Sequence, residues 1–281
     1  MKFIKIIFAV VLFGSLISCE QVIELPLSYE ADSKIVINGL VSDLPGPYYV
    51  DITKSRNFFS NDEPDVVIGA MVWITENGEL VDTLLEVRPG VYETQKITGE
   101  PGSSYVLDVW SNGEHYQAEE TMPSHVVLSG VRFDPLEIED QDELCDDKGD
   151  CRPLYNILLS AKEPQHEVNY YLWRFYENGD LVVDPEEIIY ADDQFVSGSD
   201  IVDLPLDIYV REGDTIRMEM LSLTKEHWEY WWGVDEQINF AGGPTGSPPD
   251  NVSTNLSNGA LGYFGVSAIS SNEGIVGSGF E

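Results

Sequence analysis

The residues with the clearest chemistry are cysteines. Leu16-Ile17-Ser18-Cys19 closes an apolar run over residues 6–13 that is preceded by Lys2 and Lys5. A short cationic start, an apolar segment too short to span a bilayer and a small residue before a cleavage point predict a signal peptide over 1–18 and not a transmembrane helix. Cleavage there leaves Cys19 first. Its thiol is then free to form a thioether to diacylglycerol and its amine to take a further acyl chain, and two or more chains anchor stably where one does not. Residues 19–32, broken by Pro26, read as a lipidated tether. At roughly 3.3 Å per residue it holds the folded body within about 40 Å of the membrane.

The other two cysteines lie in Glu143-Leu144-Cys145-Asp146-Asp147-Lys148-Gly149-Asp150-Cys151-Arg152. Export carries Cys145 and Cys151 to an oxidising compartment, where a disulfide closing a small loop is expected. The spacing departs from a zinc knuckle, and no histidine lies close in sequence. Glu137, Glu139, Asp140, Asp142, Glu143, Asp146, Asp147 and Asp150 crowd hard oxygen atoms into an acidic loop over 134–153. Oxygens of Asp140, Asp142, Asp146, Asp147 and Asp150 suit calcium. Lys148 interrupts the set and the closing glutamate of an EF-hand is missing, so the spacing favours a solvated loop pinned by its disulfide, with calcium as the alternative.

Signals for catalysis are absent. His115, His125, His166 and His227 fall on four separate segments with none of the spacing of a zinc-protease helix. Gly242-Gly243-Pro244-Thr245-Gly246-Ser247 lacks the lysine of a phosphate loop, and no serine sits in a nucleophile elbow. Carboxylates are too many to single out an acid/base pair, so a non-enzymatic protein is expected. The chain has 50 acidic and 15 basic residues and a net charge of −35, and losing residues 1–18 with their two lysines makes it −37. That sign excludes nucleic acid and anionic lipid surfaces as partners, since both are bound through Lys and Arg.

The elements that carry these residues read as mainly β. Segments rich in Val, Ile, Tyr and Thr at 35–41, 48–53, 67–75, 80–85, 91–97, 105–110 and 116–120 predict a seven-stranded sandwich over 33–123, with hairpin turns at Asn77-Gly78 and Asn112-Gly113. Ala70, Val72 and Ile74 share one face of their strand, as do Tyr105, Leu107 and Val109. Met122-Pro123 marks the boundary to a second β-rich domain over 124–281. Its strands are expected at 126–133, 155–161, 170–176, 181–183, 188–190, 201–209 and 215–221, with a hairpin at Asn178-Gly179. A helix over about 224–239 starts at the cap residue Thr224 and spaces Trp228, Trp231 and Trp232 for burial against the sheet, with Ile238 in line. Residues 242–258 read as a long loop, and 262–269 as a last strand closing the sheet. Trp173 alternates with Tyr171 and Phe175 toward the core, whereas Trp73 and Trp110 fall on faces open to solvent.

Gly69-Ala70-Met71-Val72, Gly90-Val91-Tyr92 and Gly102-Ser103-Ser104-Tyr105-Val106-Leu107 resemble a carboxypeptidase-regulatory-like, transthyretin-like sandwich over residues 34–121. Such modules are scaffolds, and the resemblance implies no peptidase activity. The lipobox ending in Cys19-Glu20, the strand Ile35-Val36-Ile37-Asn38-Gly39, the run Ser222-Leu223-Thr224-Lys225-Glu226-His227-Trp228-Glu229-Tyr230 and above all Thr254-Asn255-Leu256-Ser257-Asn258-Gly259-Ala260-Leu261-Gly262-Tyr263-Phe264-Gly265 extend the likeness. The chain resembles the domain-of-unknown-function 4249 lipoproteins of Bacteroidota over nearly its whole length. That resemblance brings no catalytic residues. It implies an outer-membrane lipoprotein, in either leaflet, that assists a TonB-dependent receptor by docking to it or presenting its cargo. The rival expectation is a free-standing surface module, structural or glycan-binding. Exposed aromatics around a groove would favour glycans, a broad apolar patch a protein partner, and a perturbed buried carboxylate or histidine in a cleft an enzyme.

Overall fold

The structure is a computed structural model, and it describes residues 33–56, 63–137, 145–146, 148–162, 164, 168–182, 188–193, 199–239 and 252–278. Cys19, the expected signal peptide and tether, Asp140, Asp142, Asp147, His166 and residues 240–251 of the expected long loop lie outside the described residues. Residues 34–281 form one compact unit, mainly β.

The first sandwich is built from β1 (Ile35–Ser42), β2 (Tyr49–Lys54), β3 (Met71–Glu76), β4 (Glu79–Thr83), β5 (Leu85–Arg88), β6 (Val91–Glu93), β7 (Ser104–Ser111) and β8 (Glu114–Thr121). Between β4 and β6 one more strand than expected is present, because β5 is an edge strand whose alternating Leu85 and Val87 face solvent and not a core. One sheet runs β4-β3-β7-β8, and the other contains β1-β2-β6-β5. Val72 and Ile74 of β3 meet Tyr105, Leu107 and Val109 of β7 in the core between them. Asn77 and Asn112 adopt positive φ before Gly78 and Gly113, the geometry that a two-residue hairpin matched to strand twist requires.

The second sandwich packs the sheet β14-β10-β9 against β12-β11-β15-β17, with β13 also on β11. Its strands are β9 (Val127–Pro135), β10 (Leu154–Lys162), β11 (Tyr170–Glu177), β12 (Asp180–Val182), β13 (Tyr190–Asp192), β14 (Ile201–Arg211) and β15 (Thr215–Leu223). Tyr171, Trp173, Met218 and Met220 fill the core. Helix α1 (Lys225–Ile238) follows, capped by Thr224, whose hydroxyl accepts from His227 N at 3.1 Å. The residue buried on α1 is His227. Trp228 and Trp231 pack half-buried over Leu172, Leu221 and Leu223, while Trp232 and Ile238 are exposed and do not join the core as their spacing predicts.

The chain end departs most from expectation. Instead of one last strand there are two, β16 (Leu261–Ser267) and β17 (Ile269–Ile275), and they belong to different sandwiches. β16 returns to the first sandwich, pairs parallel with β1 and sends Phe264 and Val266 into its core. β17 pairs antiparallel with β15 in the second. The contiguous boundary expected at Met122-Pro123 is thereby crossed, since the first core also contains Leu256, Ala260 and Ala268.

The edge of β16 that faces away from β1 is satisfied by side chains. Asn255 donates from Nδ2 to the Phe264 carbonyl at 2.8 Å and accepts from Phe264 N at 3.1 Å, so its amide stands in for a strand. Glu120 of β8 accepts from Val266 N at 2.8 Å. Ser257 bonds Gln117 of β8 in both directions, so residues 254–260 latch the outer flank of β16 to the opposite sheet. These contacts explain the Asn- and Ser-rich segment that reads from sequence as plain loop.

Candidate functional site

A cleft of about 380 Å³ lies where α1 bridges the two sandwiches. Its first wall is the outer face of β1 and β2, where strand alternation turns Asn38, Leu40, Tyr49 and Asp51 away from the core that holds Ile37, Val50 and Ile52. Leu172, Arg174 and Leu221 of β11 and β15 form the second wall. His227, Tyr230 and Trp231 of α1 roof it, with Tyr263 of β16 at the back.

Behind the cleft lies a buried polar cluster centred on Glu120. Its Oε1 accepts the Thr224 hydroxyl and the Tyr263 hydroxyl, the latter at 3.2 Å, while Oε2 takes Val266 N. One carboxylate therefore joins β8, the cap of α1 and β16. Burial pushes the Glu120 carboxyl up to about 7 against the three donors, which favour its charged form. His227 stacks on Tyr263 with ring centroids 4.6 Å apart, and its Nδ1 stands 3.8 Å from Glu120 Oε1. Burial, reinforced by the Arg174 charge, lowers the imidazole to about 3. At neutral pH this contact is consequently not an ion pair. Tyr263 is raised by burial and by the Glu120 charge, so its hydroxyl remains a donor.

Two glycines make the cluster possible. At Gly265 an added Cβ would stand 2.2 Å from His227 Cε1, so the bare backbone makes room for the ring. At Gly262, where φ is +92°, a Cβ would meet the Ile37 carbonyl at 2.2 Å. The motif Gly262-Tyr263-Phe264-Gly265 thus reads physically as close approach, ring, core, close approach.

Unsatisfied polar atoms border the same cleft. His227 Nδ1 and Trp231 Nε1 are buried with no hydrogen-bond partner among the described residues. Arg174 faces Glu219 across the β11–β15 pair, but Glu219 is held by Arg217 and by the Tyr176 hydroxyl, and among the described residues no ion pair forms with Arg174. On the outer face of β3-β7-β8, His115 stacks on Trp110 at 4.8 Å and lies parallel to Trp73 at 6.4 Å, with its Nε2 bonded to Asp108 at 2.7 Å. Trp110 is exposed, as its place in the alternation predicts.

The acidic loop has a different character. Cys145 and Cys151 are joined in a disulfide. Asp146 Oδ1 accepts from the backbone of Lys148 and Asp150, and both oxygens of Asp150 accept from Arg152. Arg152 also bonds Asp214 and the Glu212 carbonyl, fastening the loop to the second sandwich. The Arg152 guanidinium holds Asp150 down to about 2. Of the five calcium-ligand candidates the structure describes two, and both spend oxygens on the loop itself. No group of three or more metal-ligating side chains occurs among the described residues.

Sequence reading missed Glu120, Thr224 as more than a cap, and the cleft. One signal was available: Ala118, Glu120 and Met122 share the buried face of β8, and a carboxylate on an apolar face demands partners. No curated protein matches the chain. A family described as a domain of unknown function (DUF4249) matches residues 20–273, from the tether to β17 and including every residue of the cleft and of the Glu120 cluster, and the chain belongs to that family.

Proposed function

We propose that the protein is a lipid-anchored lipoprotein of the outer membrane that binds a small ligand in the junction cleft and acts as an accessory, cargo-presenting partner of a TonB-dependent transporter. The observation that carries the binding role is the cleft itself: a recess between packed strands and a helix, lined by the rings of Tyr49, Tyr230 and Trp231 and by the polar side chains of Asn38, Asp51 and Arg174. The lipobox at Cys19 supports the anchor, and the resemblance read from the sequence supports the transporter. A buried carboxylate beside a histidine also suggests acid/base chemistry, but the geometry favours a structural role. Both Glu120 oxygens are occupied by protein donors, and an imidazole held near 3 is a weak base at neutral pH. We therefore assign no reaction.

Intact-mass measurement of envelope protein tests the anchor: acyl chains on Cys19 are expected, and a mature mass without them, or stable membrane retention of Cys19→Ala, overturns it. Crosslinking in intact cells followed by pull-down tests the partner. Enrichment of a TonB-dependent receptor over an unrelated lipoprotein control is the expected result. If none is enriched, the second reading gains, a free-standing glycan-binding surface module, which the Trp73–His115–Trp110 ladder on the outer face of the first sandwich favours.

A further inference from the structure

We infer that the junction cleft is a site for a short, uncharged saccharide, stacked on Tyr49, Tyr230 and Trp231 and hydrogen-bonded by Arg174, Asp51 and Asn38. The inference rests on the cleft being a binding site and names what enters it. Each class of small ligand leaves a different set of groups unmatched. An apolar ligand would strip water from Arg174, Asp51 and Asn38 without replacing a single hydrogen bond. An anion would find Arg174, but it would also meet Asp51 in the same recess, Glu219 opposite Arg174 in register and a chain of net charge −35. A cation is drawn by Asp51 and by the net charge but meets Arg174 in the same recess, so neither a simple anion nor a simple cation is matched by both side chains.

A sugar ring has the complementary chemistry. Its C–H faces lie on aromatic rings, and its hydroxyls donate and accept at once, so a single ligand serves the Arg174 guanidinium, the Asn38 amide and the Asp51 carboxylate. Arg174 is available for this because Arg217 and Tyr176 occupy Glu219. The cleft volume of about 380 Å³ falls within the usual range for small-ligand sites.

The test is titration of the full-length mature protein in detergent with glucose, galactose, mannose, xylose, maltose and cellobiose, followed by calorimetry and by indole fluorescence. Glucuronate and benzoate serve as the anionic and apolar comparisons. At least one neutral sugar should bind, and Arg174→Met and Tyr49→Ala should each weaken it by about tenfold or more, a loss of about 1.4 kcal/mol. Trp231→Phe, which keeps an aromatic ring in the wall with a smaller stacking face, should weaken it by a smaller factor and guards against misfolding of the other two. Trp73→Ala, on the outer ladder, should leave binding unchanged. A purified lipopolysaccharide arm separates sources: binding there with the same dependence on Arg174 places the sugar on the membrane, and binding of the free sugars alone places it in solution. The inference falls if none of the sugars and no lipopolysaccharide binds, if glucuronate or benzoate binds in their place, or if Trp73→Ala abolishes binding while Arg174→Met does not. Receptor pull-down is independent of all these outcomes, so the transporter reading and the ligand reading fail separately.

Discussion

The junction cluster and the acidic loop both gather ionisable groups, and they use them in opposite ways. At the junction a single carboxylate, Glu120, is buried among neutral donors, and three elements distant in sequence depend on it. In the loop many carboxylates sit at the surface, and Asp146 and Asp150 bond their own backbone and a neighbouring arginine. Burial, and not the number of acids, decides which region couples distant parts of the chain, because desolvation makes an interior charge depend on its partners while water screens an exterior one.

The largest effect that would sharpen this contrast is steric. Gly262→Ala places a Cβ 2.2 Å from the Ile37 carbonyl at a positive φ, and destabilisation of about 4 kcal/mol or more is expected in urea unfolding. Gly149→Ala in the loop has the same backbone sign but open space around it, and should cost only about 1–2 kcal/mol. Equal losses at the two sites would break the comparison.

The next effect is electrostatic, and its sign differs between the regions. Glu120 binds its proton more tightly folded, near 7, than its ordinary value of 4.5, so the unfolded chain releases a proton that the folded chain keeps. The Glu120 contribution should therefore fall as pH rises from about 4.5 to 7, by about 3 kcal/mol, while the buried neutral His227 contributes a rise up to about pH 6.5, so Glu120→Gln should make the profile climb more steeply with pH than the parent's. Asp150, held down by Arg152, acts in the other direction: its contribution is present above about pH 4 and is lost as pH falls toward 2. A Glu120→Gln profile as steep as the parent's would remove Glu120 as the cause.

Smaller effects belong to the loop. Reducing the Cys145–Cys151 bond should lower stability by roughly 2 kcal/mol through chain entropy while leaving sugar titrations of the cleft unchanged. Non-reducing peptide mapping should recover the two cysteines as a linked pair. Millimolar calcium should leave the melting temperature where it is, because the described oxygens of Asp146 and Asp150 are engaged within the loop. A rise in melting temperature would restore the calcium reading.

Much of the fold was legible in local pattern. The three Asn-Gly hairpins, the alternating faces of β3 and β7 and the capped start of α1 follow from short-range sterics and period, which sequence displays directly. The misreadings have a common cause. β5 is an edge strand without a buried face, Trp232 lies on the solvent side of a helix whose Trp228 and Trp231 are half-buried, and residues 254–260 look like loop because the hydrogen bonds that anchor them go to β16 and β8, distant in sequence or non-repetitive, with two short-range bonds of their own.

By itself the sequence determined the mainly β character, the strongly acidic charge balance, the expectation of lipidation at Cys19, and the family likeness through residues 254–265. Only the tertiary structure decided that the two C-terminal strands divide between two sandwiches, that Glu120 meets Thr224, Tyr263 and Val266, and that a cleft opens between β2, β11 and α1. Local propensities reach a few residues along the chain. Glu120 and Val266 are 146 residues apart, and contacts of that separation exist only once both sheets have formed and the interior has excluded water.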